Sequence, residues 1–520
     1  MANFKRPGTY AEEVLLPQQV SALGTATAVG AFVGASSLGP TAATLVTSWT
    51  DFVRKFGPFD VTKALQFQVY QFFANGGRAA YISRVVGSGS AIATATLTDR
   101  AGTPLDTLQV NAISPGAWAN SSTATTGLYV EVQDNGSTTY FDLVVYQGGS
   151  TSAYAVERWN SVSMNSSDAR YVVQVVNNVS DYITVTDLFS TTAAPSNRPS
   201  ASGVKTLTSG ADGSTPAQTD YVDALTQGNA ACVLDAVSNA LVLNIPDVSL
   251  LTDAVAIAIL QAANTYAGAR GDTFVVADFP SDVTTASGAT SFATSVYQSP
   301  PGGSNIAMYF PYVTIPDPIT YGATRSVPPG GSVVGLYLAT DALSGPSKAP
   351  AGIGSPLNNV VALSVALLST DLDALNTATN PVNAIRSIPG AGICVMGART
   401  LDVSLSNRYI NVRRSLIFLK KVLSDDTQFA IFENNDERLW DRIIQVCTIE
   451  LTRYWQAGGL RGLTAADAFY VKCDATTMST ADIANGVVRI QVGVALQNPA
   501  EFILIQIGQF QGGVSVTTTQ

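Results

Sequence analysis

Apolar and polar positions repeat with two different periods along the chain, and the period marks out regions of different structure. Residues 29–34 form a short continuous apolar run, which predicts a buried strand. The apolar stripe over residues 65–73 predicts a helix with Thr62 as its N-cap and Asn75 at its end. Residues 81–86 predict another strand, so the order of elements is that of a βαβ unit.

The same alternation of strands and helices returns after residue 203. Strands are predicted at residues 231–234, 241–245 and 274–277, and a helix is predicted over residues 250–267. Because the rhythm matches that of the first stretch, residues 21–90 and 203–346 are predicted to fold together as a middle α/β domain.

Between these two stretches, residues 91–202 are rich in Ser, Thr, Val and Tyr and alternate with a period of two. Strands are predicted at residues 128–132, 140–146 and 171–176, and Asp134-Asn135-Gly136 predicts a hairpin turn. These patterns predict an inserted all-β domain that faces solvent.

A basic helix stands out in the last third of the chain. Apolar residues recur at three- and four-residue spacing over residues 404–424, which predicts an amphipathic helix. It carries five cations and no acidic residue; the cations are Arg408, Arg413, Arg414, Lys420 and Lys421. Three interpretations stay open: a solvated helix face, a surface that docks on an acidic protein partner, or, least favoured, a contact with nucleic acid.

The next patterns run to the end of the chain. N-caps at residues 434–436 and a Gly-Gly pair at residues 458–459 predict a helix whose apolar stripe is typical of a core. Strands are predicted at residues 488–496 and 503–507. The β-prone tail over residues 511–520 either frays or completes the sheet of another subunit.

The first twenty residues predict an extended arm, because Pro7 and Pro17 block a helix there. Between the two prolines, Tyr10, Glu12 and Val14 fall on one side of the alternation, which suits a short strand.

The composition narrows the classes of function. Only 13% of the 520 residues are charged, against about 25% in ordinary soluble domains, which favours a surface covered by other protein. There is no histidine, so a Ser-His-Asp triad and a His-containing zinc site are excluded. A net charge of −10 makes binding to a nucleic-acid backbone a poor interpretation.

Candidate chemistry is sparse. The four cysteines, Cys232, Cys394, Cys447 and Cys473, form no CxxC motif and are expected to be small buried hydrophobes. Carboxylate pairs at residues 12–13, 371/373 and 425–426 are expected to serve turns and caps. The N-terminal residues have no apolar core of a signal peptide, so we expect a soluble protein made without export.

A series of segments carries a family pattern nearly from end to end: residues 6–14, 114–120, 207–213, 327–341, 348–351, 397–401, 409–414, 429–440, 469–474 and 499–503. The most specific are Gly397-Ala398-Arg399-Thr400-Leu401 and Tyr409-Ile410-Asn411-Val412-Arg413-Arg414. Taken in this order, the segments resemble the tail sheath proteins of contractile phage tails and related injection machines. The departures are small, at Ser209, Ala211 and Met396.

The resemblance implies a structural protein, not an enzyme, with a multidomain fold of the α+β or α/β class. It implies an inner α/β domain built from both chain ends, a middle α/β domain and an outer inserted all-β domain. The predicted units are an N-terminal arm (1–20), the middle domain (21–90 and 203–346), the insert (91–202), the C-terminal inner sheath domain (347–510) and a C-terminal arm (511–520). The arms of such proteins add strands to neighbouring copies, which makes Tyr10, Glu12, Val14, Val514 and Val516 the expected strand residues.

From this resemblance we expect hexameric rings that stack in a helical lattice around an inner tail tube and contract to drive it through a host envelope for genome delivery. Expected partners are other copies, the tube protein, and baseplate and tail terminator proteins, without direct nucleic-acid contact or membrane insertion. The expected location is the virion tail, after assembly in the host cytoplasm. No catalytic, cofactor or metal site is expected, and the basic helix is the candidate tube-docking element, with residues 436–457 as its rival.

Three alternatives remain open from the sequence. They are a sheath of a bacterial contractile injection particle, a secreted carbohydrate hydrolase that uses paired carboxylates, and a capsid or adhesin shell protein.

Overall fold

The structure is a computed structural model that describes residues 28–123, 125–297, 305–404 and 406–501. The predicted N-terminal arm at residues 1–20, the predicted strand at residues 503–507 and the predicted C-terminal arm at residues 511–520 lie outside the described residues. The same holds for the five expected arm residues: Tyr10, Glu12, Val14, Val514 and Val516.

The described residues form twenty strands and twelve α-helices. The first are β1 (Val29–Ala35), β2 (Thr44–Val46), α1 (Trp49–Phe56), α2 (Leu65–Ala74) and β3 (Ala80–Val85). Then follow β4 (Thr94–Thr98), β5 (Asp106–Ala112), β6 (Leu128–Gln133), β7 (Tyr140–Gln147), β8 (Ala155–Ser163), α3 (Val172–Asn177), β9 (Ile183–Asp187) and β10 (Lys205–Thr206).

The second half of the chain continues the alternation. Its first part holds α4 (Gln218–Ala224), β11 (Leu241–Asn244), α5 (Asp253–Arg270), β12 (Thr273–Ala277), α6 (Ala286–Val296), β13 (Ile306–Phe310), β14 (Val313–Pro316), β15 (Thr324–Val327) and α7 (Gly330–Ser344). Its last part holds β16 (Ala362–Leu363), α8 (Ser369–Thr377), β17 (Asn383–Ile388), β18 (Gly392–Val395), α9 (Ile410–Asp426), α10 (Glu437–Gln456), α11 (Ala465–Ala468), β19 (Phe469–Lys472), α12 (Thr480–Ala484) and β20 (Gln491–Val494).

One large sheet organises the fold, with the strand order β18-β17-β13-β12-β11-β1-β3-β2. The six inner strands are parallel, and β18 and β2 pair in the antiparallel sense at the two edges. Helices α4, α5, α6 and α8 cover one face, and α1, α2 and α7 cover the other. The strands predicted at residues 29–34, 241–245 and 274–277 are confirmed as β1, β11 and β12. Their apolar runs are nearly continuous because both faces of the sheet are covered.

The predicted boundary at residue 347 is corrected by this sheet. Strand β17 pairs with β13, with Tyr309 opposite Asn383 and Phe310 opposite Ala384, and β18 then pairs with β17. The sheet of the middle domain therefore extends through residue 395, and the Gly- and Pro-rich residues after α7 are a loop and not a linker between domains.

The insert carries two smaller sheets, β10-β6-β7-β8 and β4-β5-β9, around an apolar core of its own. The hairpin predicted at residues 134–136 is confirmed, because it joins the antiparallel strands β6 and β7. The strand predicted at residues 171–176 is wrong, since these residues form α3. Val172 and Val176 are four residues apart and fully buried, so packing on one helix face overrides the β preference of valine.

The base of the insert joins two of the segments that carry the family pattern. The side-chain amide of Asn120 donates to the carbonyl of Gly210 at 2.8 Å, and the Gly210 N–H donates back to Asn120 Oδ1 at 2.8 Å. Ala91 and Ala211 exchange two backbone hydrogen bonds of 2.9 Å. The two ends of the insert therefore lie side by side where it leaves the sheet.

Several predicted bounds shift. Residues 233–236 form a 3-10 turn and not the predicted strand. Helix α2 begins at Leu65, so Thr62 is not its N-cap. Helix α5 runs to Arg270 and ends at Gly271, whose φ of +78° is a conformation that glycine adopts without steric strain.

The C-terminal part of the described chain packs around α9 and α10. Helix α9 begins at Ile410, six residues later than the predicted start at residue 404. The start of α10 is confirmed, because Asp436 caps it by accepting a hydrogen bond from the Leu439 N–H at 3.0 Å. Its predicted stripe is buried, and β20 covers only the centre of the strand predicted at residues 488–496.

Candidate assembly surface

The C-terminal part of the described chain holds a sheet of only two strands. Strands β19 and β20 are antiparallel, from Phe469 opposite Val494 to Lys472 opposite Gln491. Within the described ranges, no further strand pairs with the outer edge of either one, and a single bridge between Leu460 and Leu496 adjoins the end of β20. We call this pair the acceptor sheet, because an unpaired edge offers N–H and C=O groups to a further strand.

The two faces of the acceptor sheet differ. The inner face packs on α9 and α10 through Phe469, Val471, Val492 and Val494. On the outer face Tyr470 is 55% exposed and lies opposite Gly493, where a Cβ atom would come within 2.1 Å of the tyrosine ring. A side chain at position 493 would therefore displace the Tyr470 ring, and the packed inner face fixes the register at which a further strand would pair.

An ion pair fixes the point from which the chain leaves toward its C-terminus. Arg399 Nε donates to Glu501 Oε1 at 2.9 Å, and Arg399 Nη2 donates to Glu501 Oε2. Arg399 Nη1 also donates to the carbonyl of Asn376 at 2.8 Å. The hydrogen bond to Glu501 raises the pKa of Arg399 above its usual value. Two family segments, residues 397–401 and 499–503, thus meet at the last described residue.

The five cations of the predicted docking helix are buried to different extents, and Arg414 lies in the core. Its side chain is 4% exposed, as is that of Asp341, and its Nη1 donates to Asp341 Oδ1 at 2.9 Å. Its guanidinium carbon lies 4.7 Å from the ring centre of Tyr337. Burial alone would lower the pKa of Arg414, but the Asp341 carboxylate raises it above its usual value. Arg414 therefore holds α9 to α7 and does not belong to an exposed basic face.

The other four cations differ in exposure. Arg413 is partly buried and donates through Nε to Asn305 Oδ1, and burial lowers its pKa. Arg408 is partly exposed and Lys420 is exposed. Lys421 pairs with Asp425 at 2.8 Å across one turn of the helix. A partner can therefore reach Arg408, Lys420 and Lys421 more readily than the two inward arginines, and docking by this helix stays a prediction.

Sequence reasoning missed the acidic partners of Arg414 and Arg399, although the sequence contained a signal for them. Asp341 ends the family segment at residues 327–341, and Glu501 lies in the segment at residues 499–503. Pairing opposite charges between separate family segments would have proposed both ion pairs.

The carboxylates and cysteines that the sequence offered as candidate chemical groups have structural roles. Asp371 accepts a hydrogen bond from the Leu368 N–H at 2.9 Å at the start of α8, as expected for a cap. All four cysteines are buried and unpaired, as expected. No cluster of three potential metal ligands occurs among the described residues. Nor is any helix in the described ranges long and apolar enough to cross a membrane.

Comparison with known proteins gives one sequence relative and several similar structures. No protein-family model matches the chain. The tail sheath protein of Vibrio phage KVP40 is 33% identical over 155 residues, which is 29% of this chain. The matched stretch covers only 22% of the length of that relative.

The solved structures match over nearly the whole chain. The helical sheath of the anti-feeding prophage in its contracted state matches with a TM-score of 0.55 and 22% identity, covering 97% of this chain and 99% of that one. A sheath tail protein from Listeria innocua matches with a TM-score of 0.59 and 15% identity, covering 92% and 98%. The chain therefore has the fold of contractile sheath proteins, and the resemblance predicted from the sequence is confirmed. These similar proteins are structural sheath components and not enzymes.

Proposed function

We propose that the chain is the sheath subunit of a contractile tail or injection particle. In this role it polymerises as hexameric rings around an inner tube and shortens to drive the tube through a target envelope. The observation that carries the proposal is the acceptor sheet, whose outer edges pair with no other strand of the described residues, in a chain with a sheath fold.

The proposed subunit joins are strand additions by the two arms. Residues 10–14 of one copy and residues 514–516 of another pair with the acceptor sheet of a third. Glu501, held by Arg399, gives the C-terminal arm a fixed departure point. Backbone pairing supplies affinity that does not depend on side chains, while the covalent arm lets subunits rotate and slide without separating.

The inner tube is proposed to contact the exposed cations of the docking helix. Such a contact is weak in salt and is released as the sheath widens, whereas a large apolar contact would hold the tube in place. With Arg414 in the core, the proposed contact reduces to Arg408, Lys420 and Lys421.

Contraction needs no chemical step in this proposal. The extended sheath is a kinetically trapped state, and the contracted sheath buries more surface per subunit. Each further 100 Å² or so of apolar area buried per subunit contributes roughly 2.5 kcal/mol, which multiplies over the assembly.

A second candidate, an extracellular injection particle in place of a phage tail, has support from the comparisons. One similar structure, with a TM-score of 0.55 and 20% identity, is the sheath complex of an extracellular contractile injection system in its contracted state. In that case the particle is not a phage tail, and the proposed contacts between subunits are unchanged.

Electron microscopy of the purified chain tests the proposed function. We expect hollow helical cylinders from the full chain, and soluble, folded subunits without cylinders when residues 511–520 are deleted. Normal cylinders from the shortened chain would refute the role of the C-terminal arm. A full chain that stays monomeric at high concentration would refute the sheath role itself.

A further inference from the structure

An exposed apolar loop joins α9 to α10. Phe432 is 104% exposed and the adjacent Ile431 is 65% exposed. Phe432 also has a φ of +69°, a left-handed conformation that is strained for a bulky side chain. Two neighbouring large apolar residues that are exposed on a strained backbone are unfavourable for an isolated subunit, so we expect them to be buried in a contact.

The charge around this loop has one sign. From Asp425 to Glu437 the chain has five acidic residues and no basic residue. Asp425 pairs with Lys421, but no ion pair involves Glu433 or Glu437 among the described residues. We call residues 427–437 the acidic loop, with Ile431 and Phe432 at its tip.

An apolar cavity of about 410 Å³ lies elsewhere on the same chain. It opens between the C-terminal end of α7, the middle of α9 and the C-terminal end of α10, against the first residues of β11 and β12. Its apolar lining includes Leu241, Val242, Phe274, Leu343, Ile417 and Phe418. Leu343 also lines the cavity and is 87% exposed, so the described residues leave part of its apolar lining uncovered.

Two exposed basic residues lie close in sequence to the cavity lining. Lys348 follows Ser347, and Arg461 lies two residues after Gly459. Neither forms an ion pair within the part of the chain that the structure describes. The lining itself contains Asp341 and Asp272, but these are neutralised by Arg414 and Arg270. The charge of Lys348 and Arg461 therefore complements that of the acidic loop.

The loop and the cavity of one subunit cannot meet. The loop precedes the first residue of α10, Glu437, while the cavity is lined by Tyr454 and Ala457 at the other end of this helix. Seventeen residues separate Glu437 from Tyr454, which is roughly 26 Å along a straight helix. Only a loop from another copy can reach the cavity.

We propose that the acidic loop of one subunit inserts Ile431 and Phe432 into this cavity of a neighbouring subunit, with its acidic residues facing Lys348 and Arg461. The two surfaces differ, so the contact is heterologous and generates a ring or a helix of subunits. This inference rests on the proposed function and adds to it a side-chain contact separate from strand addition by the arms.

Disulfide cross-linking tests the contact in the full chain. We expect that Phe432→Cys and Leu343→Cys in one chain give a ladder of linked subunits on a non-reducing gel, while Tyr321→Cys with Leu343→Cys does not. Tyr321 is the matched control, since it is 105% exposed and lies between β14 and β15. A second double variant, Leu23→Cys with Leu343→Cys, tests whether the N-terminal segment fills the cavity instead. If these two cysteines link within one chain and the Phe432→Cys variant gives no ladder, the proposal is overturned and the cavity is assigned to the N-terminal segment.

A charge swap gives a second readout. Glu433→Lys is expected to raise the concentration needed for polymerisation by about tenfold, and adding Lys348→Glu is expected to restore it. Phe432→Gly relieves the strained backbone, so it should weaken polymerisation without lowering the melting temperature of the monomer. If the full chain polymerises and none of these variants changes it, the inference is wrong and the proposed function stands. If the full chain forms no hollow cylinders but the cross-linked ladder still forms, the proposed function is wrong and the inference stands.

Discussion

The ion pair between Arg414 and Asp341 offers the sharpest test of how the C-terminal helices are held to the sheet. Both side chains are 4% exposed, and the guanidinium group also lies over the ring of Tyr337 at 4.7 Å. The substitution Asp341→Asn keeps the shape of the side chain and removes its charge. It leaves the Arg414 cation buried without a neutralising partner.

The expected loss follows from the geometry. Breaking a buried pair by removing one partner costs about 3–5 kcal/mol, because the remaining charge stays desolvated. The contact with Tyr337 remains and offsets only a small part of this loss. Replacing both partners with apolar residues, as in Asp341→Leu with Arg414→Met, should recover most of the stability.

Urea unfolding followed by tryptophan fluorescence measures these differences, since Trp440 and Trp455 lie on the adjacent α10. The matched control is Asp425→Asn, which breaks the exposed pair with Lys421 and should cost less than about 0.5 kcal/mol. A double-mutant cycle isolates the coupling between Asp341 and Arg414. A loss below about 1 kcal/mol for Asp341→Asn would refute the assignment of Arg414 to the core and return it to the candidate docking face.

Three further predictions concern pH, the tube and the insert. Burial raises the pKa of Asp278 from 3.8 to about 7, so the free energy of unfolding should fall by about 4 kcal/mol as the pH rises from about 4 to about 7. Asp278→Asn should remove this fall in urea titrations at a series of pH values, and an unchanged pH profile would contradict the prediction. Arg408→Glu with Lys421→Glu should weaken co-sedimentation with the tube protein at low salt, whereas Arg386→Glu, an exposed control on β17, should not; equal effects would count against the docking helix. Replacing residues 92–210 by a short Gly-Ser linker should leave a soluble remainder, because Ala91 and Ala211 are paired; insoluble protein would show that the insert is not a separate unit.

The parts of the fold that the sequence predicted are those set by local pattern. The central strands β1, β11 and β12 are short, largely apolar runs because helices cover both faces of the sheet, so they could be predicted without knowledge of their neighbours. The cap at Asp436 depends on residues within one turn, and its position was predicted correctly.

What the sequence did not predict depends on distant partners. The basic stretch at residues 404–424 has the spacing of an amphipathic helix, but Arg414 is turned inward by Asp341, which lies 73 residues earlier. The strand predicted at residues 171–176 became a helix because Val172 and Val176 face a common core. The boundary at residue 347 failed because β17 pairs with a strand far from it in sequence, beyond a loop that has the composition of a linker.

The acceptor sheet was outside the reach of sequence reasoning for a similar reason. The pattern at residues 488–496 predicted a strand, but it did not identify the short β19 as its partner or show that no other described strand pairs with their outer edges. The family resemblance implied strand addition by the arms, and the structure contains a two-stranded sheet whose outer edges are unpaired by any other strand of the described residues.

Hydrogen exchange on the acceptor sheet is the most direct measurement of the central claim, that arms from neighbouring copies complete this sheet. The backbone amides of β19 and β20 are to be compared in monomers and in assembled cylinders, with the chain lacking residues 511–520 as a control. We predict that the outer-edge amides exchange fast in monomers and become strongly protected on assembly of the full chain only. Edge amides that are already protected in monomers, or that stay unprotected in cylinders, would contradict the account.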